Sequence, residues 1–444
     1  MTYKRVTFAS KIGVVAAAAG SAVGLGNMWR FPSQAADGGG AIFIFVYIAC
    51  ILFFGIPVMM SEFIIGRSAR VNTAGAFRKL APGTPWKWVG RLGVLTGFLI
   101  LGFYMVVAGW TIIYLGQSIT GNLLSVDNFS THFSNLLSNP IKQTLWMIVF
   151  TLLTAYFILS GVRKGIEKST KIFMPLLFFF LIILAIRAIL LPGAVAGLEF
   201  LFKPNFDNVK STVFLDAMGQ AFFSLSVGMG CLITYGSYFN KDINLTKTAV
   251  QVSVLDTLVA IIAGMIIFPA AFALTANPNT IVDELVTGGP GLLFITIPEL
   301  FNQMSGSIIW PAMFFSLLAL AALTSTISLM EVVTIYISEE YSMSRKKSTL
   351  LVTIGVIILG TTSSYSTSFF NILDASTAKY MLPAGGLLIS IFVGWYLNKR
   401  IVAAELTNEG QLKFGIRFLK VYVFLLRYVA PTAILAIFVY GIVG

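Results

Sequence analysis

Apolar residues in this chain run in long blocks, not in the short alternations that build a half-buried sheet. A membrane-crossing helix needs about 20 apolar residues at a rise of about 1.5 Å each. Blocks of that kind fall near 11–37, 41–66, 89–120, 143–160, 170–191, 212–240, 246–274, 306–338, 348–363, 370–397 and 418–442. The pattern predicts an all-α integral membrane protein with 11 spans, the third and eighth long enough to tilt. Two connections stand out. One is polar, 121–141. The other, 276–305, carries Gly288-Gly289-Pro290-Gly291 between amphipathic stretches and reads either as a capping loop or as a lid over an outer vestibule.

Composition agrees. Of 444 residues, 57% are hydrophobic and only 11% charged, against about 25% charged in soluble domains. The 48 charged residues are too few to coat soluble domains of this total length. That excludes an ordinary cytosolic enzyme, and the aromatic and branched apolar content excludes disorder. The two cysteines, Cys50 and Cys231, sit in apolar runs and read as buried thiols, with no disulfide framework. The one histidine, His132, lies in a polar loop, so metal centres built on His and Cys are not expected. The first apolar stretch has no small-residue cleavage signal and reads as a membrane span, not a removed leader.

Net charge is +12. With the N-terminus placed in the cytoplasm, 23 of the 30 basic residues fall on cytoplasmic segments. Only Lys142, Lys203 and Lys210 fall on outer loops, and Arg30, Arg187, Lys379 and Arg427 lie within or at the ends of spans. This is a positive-inside distribution. It predicts a multi-pass plasma (inner) membrane protein with its C-terminus outside. It also accounts for the charge as topology with some attraction to anionic lipid, leaving no reason to invoke nucleic acid.

Two spans are interrupted in the same way. The first contains Gly20-Ser21-Ala22-Val23-Gly24-Leu25-Gly26-Asn27 and then Arg30 and Pro32; the sixth contains Ser224-Leu225-Ser226-Val227-Gly228-Met229-Gly230. Small residues at 16, 20 and 24 suit helix packing. Packing does not explain two glycines and a polar residue at mid-depth, where free backbone groups must face a protein-enclosed cavity. The two breaks lie five spans apart, and an odd unit repeats in inverted orientation. That is the pattern of transporters whose broken helices meet at the midplane. Half-helix N-termini would face an anionic group and C-terminal carbonyls a cation. Neither Gly-x-Gly has the third glycine or preceding strand of a dinucleotide site, and no phosphate-binding loop for ATP is present.

Ionisable residues at membrane depth are functional candidates. Glu62, Asp256 and Glu331 qualify, with Arg30 and Asp374 nearer the outer face. Asp256 has no basic neighbour along its helix, so it is either protonated or neutralised by a cation; oxygen ligands suit Na⁺. Glu62 reads as a structural cap for amides freed by the helix breaks. The hydroxyls of Thr324-Ser325-Thr326 either bond back to their own helix or line a second cation site. Glu331 has no role assignable from its position.

These segments resemble the neurotransmitter:sodium symporter family, in its bacterial amino-acid branch with the leucine-transporter fold. The likeness rests on residues 20–32, Gly38-Gly39-Gly40-Ala41, Gly55-Ile56-Pro57 with Glu62 and Gly66-Arg67, Gln220 to Ser226, Tyr235 to Tyr238 and Leu323-Thr324-Ser325, and covers roughly 1–400. It implies a 5+5 inverted repeat with discontinuous helices 1 and 6. Residues 1–191 would form the first repeat, 192–211 an extracellular connection, 212–400 the second repeat and 401–444 the last span.

The resemblance also implies roles. Two sodium ions would be bound, one by Ala22, Asn27, Ser224 and Asp256 with the substrate carboxylate, the other by Gly20, Val23, Ala321, Thr324 and Ser325. Tyr104 and the amides of Leu25 and Gly26 would take the carboxylate of an amino acid, and carbonyls of Ala22, Phe223 and Ser226 its ammonium. Ile100, Val107, Phe223, Ser226, Met229, Thr326 and Leu329 would form the side-chain pocket. Arg30, Asp374 and the Phe223 ring would gate the outside; Arg5 and Glu339, with Ser237 and Tyr238, the inside. Gly165 and Pro175 would let the fifth span unwind. The chain departs from the family pattern in Phe8, where many members carry Trp, in Glu339 where Asp is common, and in the alignment around Asp374. A fixed carboxylate at Asp256 and Ala260 in place of a hydroxyl imply chloride independence. The expected activity is sodium-coupled symport of an aliphatic or aromatic L-amino acid, with no covalent chemistry and no obligate protein partner evident. A channel, an intramembrane enzyme and a non-transporting sensor are the rivals.

Overall fold

The computed structural model describes residues 5–206, 212–275, 281–287, 289–304, 306, 308–412 and 416–443. Lys4, Lys210 and Lys413 of the charge distribution and Gly288 of the second connection lie outside the described residues.

The blocks form helices because their backbone groups have no water to bond with and must pair within each segment. The first crossing is split into α1 (Lys11–Ala22) and α2 (Leu25–Asp37), bent by 60° at the break. Then come α3 (Ala41–Ala69), the short α4 (Thr73–Leu80), α5 (Lys87–Ile119), α6 (Phe129–Leu137), α7 (Pro140–Leu159), α8 (Val162–Ile189) and α9 (Ala194–Phe202). The sixth crossing is again split, into α10 (Val213–Ser224) and α11 (Cys231–Gly236). The remainder is α12 (Leu245–Leu274), α13 (Ile281–Thr287), α14 (Leu292–Asn302), α15 (Ile309–Glu340), α16 (Arg345–Tyr365), α17 (Thr367–Tyr396), α18 (Lys399–Leu406) and α19 (Arg417–Ala436).

Nine of these are continuous helices long and apolar enough to cross a membrane, among the described residues. The bent first crossing makes a tenth, against 11 expected; the sixth, split into α10 and α11, has halves of 12 and 6 residues. No strand occurs among the described residues. The most apolar stretches of α5 and α15 are 78% buried within the protein, against 28% for α19. So α5 and α15 form the central pillars, and α19 faces outward on one side.

The polar connection 121–141 is not plain loop, since Asn128 caps α6 by accepting from the Thr131 amide. The second connection also folds. Phe294 of α14 is fully buried and packs against Trp110, Tyr114, Phe133 and Phe315. Those aromatic contacts wedge the segment between α5, α6 and α15.

Candidate functional site

The first break begins where Val23 turns extended (φ −69°, ψ 112°) and Gly24 follows in an extended conformation. Helix termini leave unpaired N–H and C=O groups. Here Asn27 Oδ1 accepts from the Gly24 amide at 3.0 Å, and the Tyr104 hydroxyl oxygen accepts from the Leu25 amide at 3.0 Å. Gly24 has no room for a side chain, since a Cβ there would lie 2.7 Å from Ser325 Oγ and 3.0 Å from the Tyr104 hydroxyl. The polypeptide thereby passes directly beside α5 and α15.

The second break spans Leu225 to Gly230, with Ser226, Gly228 and Gly230 all at positive φ (54°, 88° and 80°). Glycine adopts that region freely and serine does not. Ser226 is held there by donating its hydroxyl to the Ser21 carbonyl at 2.8 Å, which ties the second break to the first. Glu62, fully buried, accepts from the Gly228 amide at 2.7 Å through Oε1. That is the amide-capping geometry expected of Glu62.

Between the breaks lies a small cavity of about 40 Å³. Ile100 and Tyr104 from α5, Phe223, Ser226 and Met229 from the second break, and Ser325 and Leu329 from α15 line it, with Ser21, Ala22, Gly24, Gly26, Asn27 and Ser224. Backbone and hydroxyls lie at one side, aromatic and aliphatic side chains at the other. Two expected pocket residues do not line it. Thr326 is wholly buried and bonds Thr154 Oγ1 of α7 at 3.1 Å and the Leu323 carbonyl at 3.1 Å. Its position on α15 turns it to the neighbouring helix. Val107 is fully buried, one turn beyond Tyr104.

Beside the cavity, Asn27 Nδ2 donates to Asp256 Oδ1 at 2.8 Å and reaches Ser224 Oγ at 3.0 Å. Ser224 Oγ donates to Asp256 Oδ2 at 2.7 Å, and the Tyr47 hydroxyl lies 3.4 Å from that oxygen. The cluster is a buried carboxylate surrounded by oxygen and amide groups, with no basic side chain in it. The nearby Gln220 side chain is fully buried, and its amide oxygen and nitrogen have no partner among the described residues.

On the other side of α1, Thr324 Oγ1 donates to the Ala321 carbonyl at 3.0 Å, and Ser325 Oγ donates to the Val23 carbonyl at 3.1 Å. Both bonds use the hydroxyl proton and leave oxygen lone pairs available. A Cβ on Gly20 would lie 3.3 Å from Thr324 Cβ, so Gly20 brings α1 against these hydroxyls. The two readings of this cluster are compatible, because the same hydroxyl can back-bond and still offer a lone pair.

The outer gate differs in part from expectation. The Arg30 guanidinium stacks on the Phe223 ring at 4.7 Å. Arg30 forms no direct ion pair with Asp374; it stands within electrostatic range of both Asp374 and Asp216, an acid the sequence pattern did not single out. The inner pair is direct. Arg5 bonds Glu339 and donates to Ser237 Oγ at 2.9 Å and 2.6 Å, with its guanidinium 4.8 Å from the Tyr238 ring centre. Phe8 packs edge-on against Tyr235 and Tyr238. Glu339 also accepts from the Asn72 amide at 2.6 Å.

Further contacts made by Glu331, Glu167 and Arg163 were not legible in the sequence. Glu331 is completely buried and accepts from Tyr238 at 2.6 Å and from both terminal nitrogens of Arg345, at 3.0 and 2.5 Å. Glu167 accepts from the Ala9 amide at 2.7 Å and from Ser10 at 2.9 Å, and Arg163 donates to the Thr7 carbonyl at 2.8 Å. The Glu167 and Arg163 contacts pin the N-terminal strap to the start of α8. There Val162–Glu167 is a wide π-helical turn, and a Cβ on Gly165 would run into the Phe157 carbonyl. Pro175 lies further along the same helix.

Comparison with known proteins agrees with this arrangement. The sodium:neurotransmitter symporter family model matches residues 5–135 and 124–444. An uncharacterized sodium-dependent transporter of Bacillus subtilis is 34% identical over 98% of this chain and 97% of its own length. One of Haemophilus influenzae is 33% identical over 98% of each. The crystal structure of MhsT in complex with L-phenylalanine is 42% identical, with a TM-score of 0.89 over 98% of this chain and 100% of that one. The fold is thus the leucine-transporter fold. The chain belongs to the sodium:neurotransmitter symporter family and is a multi-pass membrane transporter coupled to sodium, not an enzyme.

Proposed function

We propose that this transporter carries a hydrophobic or aromatic L-amino acid into the cell with two sodium ions, without chloride. The observation that carries the reading is the cavity between the two helix breaks, polar on its backbone side and lined by Ile100, Phe223, Met229 and Leu329 on the other. The relative solved with L-phenylalanine supports the same substrate class. Among the described residues no acidic side chain lines the cavity, which disfavours a bare amine.

In this reading the substrate carboxylate sits by the Leu25 and Gly26 amides and Tyr104, and completes the first sodium site with Ala22, Asn27, Ser224 and Asp256. Gly20, Val23, Ala321, Thr324 and Ser325 hold the second ion. Each ligand raises the other's affinity because they share a site. Residues 1–191 and 212–400 act as the two inverted repeats, joined by 192–211 and followed by 401–444. Arg30, Phe223 and Asp374 close the outer side; parting of Arg5 from Glu339, Ser237 and Tyr238 opens the inner one. Unwinding at Gly165 and Pro175 wets the second sodium site. The N-terminus lies in the cytoplasm and the C-terminus outside.

Uptake of radiolabelled amino acids into proteoliposomes under a sodium gradient tests this. Tyr, Trp, Phe and Leu should compete best, and Asp256→Ala and Thr324→Ala should abolish uptake. Binding without uptake would instead indicate a sensor, and dominant competition by Gly, Pro or a charged amino acid would refute the substrate class.

A further inference from the structure

A second cavity, of about 780 Å³, opens at the start of α5 and shares no lining residue with the cavity between the breaks. Pro85, Trp86, Trp88, Arg91 and Leu95 form one wall and Leu388 of α17 the other, so it is a groove between two spans. Trp86 is anchored, its ring packing on Phe392 at 5.0 Å and on Tyr396 at 5.7 Å. Trp88 and Leu95 are open, 60% and 49% exposed. A tryptophan at the end of a span marks the headgroup level, and the aliphatic floor beyond it lies at acyl-chain depth.

Two cations stand at the mouth of the groove. The Arg91 guanidinium lies 4.6 Å from the Trp88 ring centre, and the Lys87 ammonium reaches the same ring at 6.0 Å. Neither cation is in an ion pair among the described residues. Glu340, the acid within electrostatic range of Arg91, is already held by Arg78 through two bonds of 2.8 Å. Lys87 and Arg91 stand one helical turn apart, a spacing at which like charges repel. They also occupy the positive end of the helix dipole, with no acidic residue in the first turn. An anion between them relieves both costs.

We propose that this groove is a binding site for an anionic phospholipid of the adjoining leaflet. The phosphate lies between Lys87 and Arg91 beside Trp88, and an acyl chain runs over Leu95 and Leu388. The proposal is independent of the transported substrate.

The test uses the full-length protein in phosphatidylcholine nanodiscs containing a rising fraction of either dibrominated phosphatidylglycerol or dibrominated phosphatidylcholine. Bromine quenches nearby tryptophan, and the Trp88 signal is the difference between wild type and Trp88→Phe. Phosphatidylglycerol should quench Trp88 at a mole fraction on the order of tenfold lower than phosphatidylcholine, as two cations at a lipid surface imply. Lys87→Gln/Arg91→Gln should remove the preference, and Arg91→Gln alone, if the double variant fails to fold, should roughly halve it on a logarithmic scale. Equal quenching by the two lipids in the wild type overturns the proposal. So does a preference that survives in Arg91→Gln undiminished.

Discussion

Asn27 Nδ2 donates to Asp256 Oδ1 at 2.8 Å, so the first turn after the break in the first crossing is tied to the middle of α12. Asp256 also receives the Ser224 hydroxyl, and the three side chains join three different spans around one buried carboxylate.

In the proposed function, that carboxylate stands in for the negative charge that chloride would otherwise bring. Sodium-driven uptake by the wild type should be unchanged when chloride is replaced by gluconate. Asp256→Ser should lower sodium affinity roughly 100-fold without chloride, as loss of one partner of a buried charge pair implies. Chloride should restore part of that uptake, and more in Asp256→Ser/Ala260→Ser. Flux assays in the two salts decide it.

Glu62 caps the Gly228 amide at the second break. Glu62→Ala leaves that amide buried and unpaired, a loss of about 1–3 kcal/mol. Thermal unfolding in detergent should show a clear fall for Glu62→Ala and a smaller one for Glu62→Gln, whose amide oxygen still accepts.

Glu331 is buried against Arg345 and Tyr238. Removing the cation alone strands a buried charge, at a cost of about 3–5 kcal/mol. Arg345→Met should therefore destabilise more than Arg345→Met/Glu331→Gln. A double-mutant cycle on unfolding temperatures measures the coupling.

Thr326 bonds to Thr154 and faces away from the cavity, whereas Leu329 and Met229 line it. Thr326→Val should leave the affinity for a large amino acid within about twofold, since Thr326 does not line the cavity. Leu329→Ala should weaken it by about 1–3 kcal/mol, the worth of lost apolar contact in a pocket. Equilibrium binding in detergent separates the two.

His132 lies outside the membrane-spanning helices, 3.1 Å from Gln117 Oε1. Burial and then Lys142 hold its imidazole below the ordinary histidine range. The folded state therefore prefers the neutral ring, and this contribution is present above the unfolded-state value and lost as pH falls below it. The unfolding temperature should drop between about pH 7.5 and pH 5.5, and His132→Gln should flatten that drop.

Much of this was legible along the chain. Hydrophobic blocks marked the nine continuous spans and the bent first crossing found among the described residues, because in lipid a spanning segment must be long, apolar and internally hydrogen-bonded. The paired Gly-x-Gly breaks were legible for the same reason. Free backbone groups in a membrane are tolerated only beside a cavity, and the cavity lies between them. Asp256 was a candidate because a carboxylate without a basic neighbour at that depth demands a counterpart.

Tertiary structure decided what local spacing cannot encode. It turned Thr326 toward Thr154 and Ser325 toward Val23, because helical neighbours point 100° apart and only the packed partners say which direction is the cavity. It brought Arg345 to Glu331 and Glu167 to Ala9, pairings set by where distant helices end. It put Arg30 on the Phe223 ring without a direct bond to Asp374, a choice of one contact over another that depends on side-chain reach. The sequence by itself determined the crossings, the breaks and the chemistry available at them. The fold determined which of those groups meet, since contact between residues hundreds of positions apart is a property of packing and not of pattern.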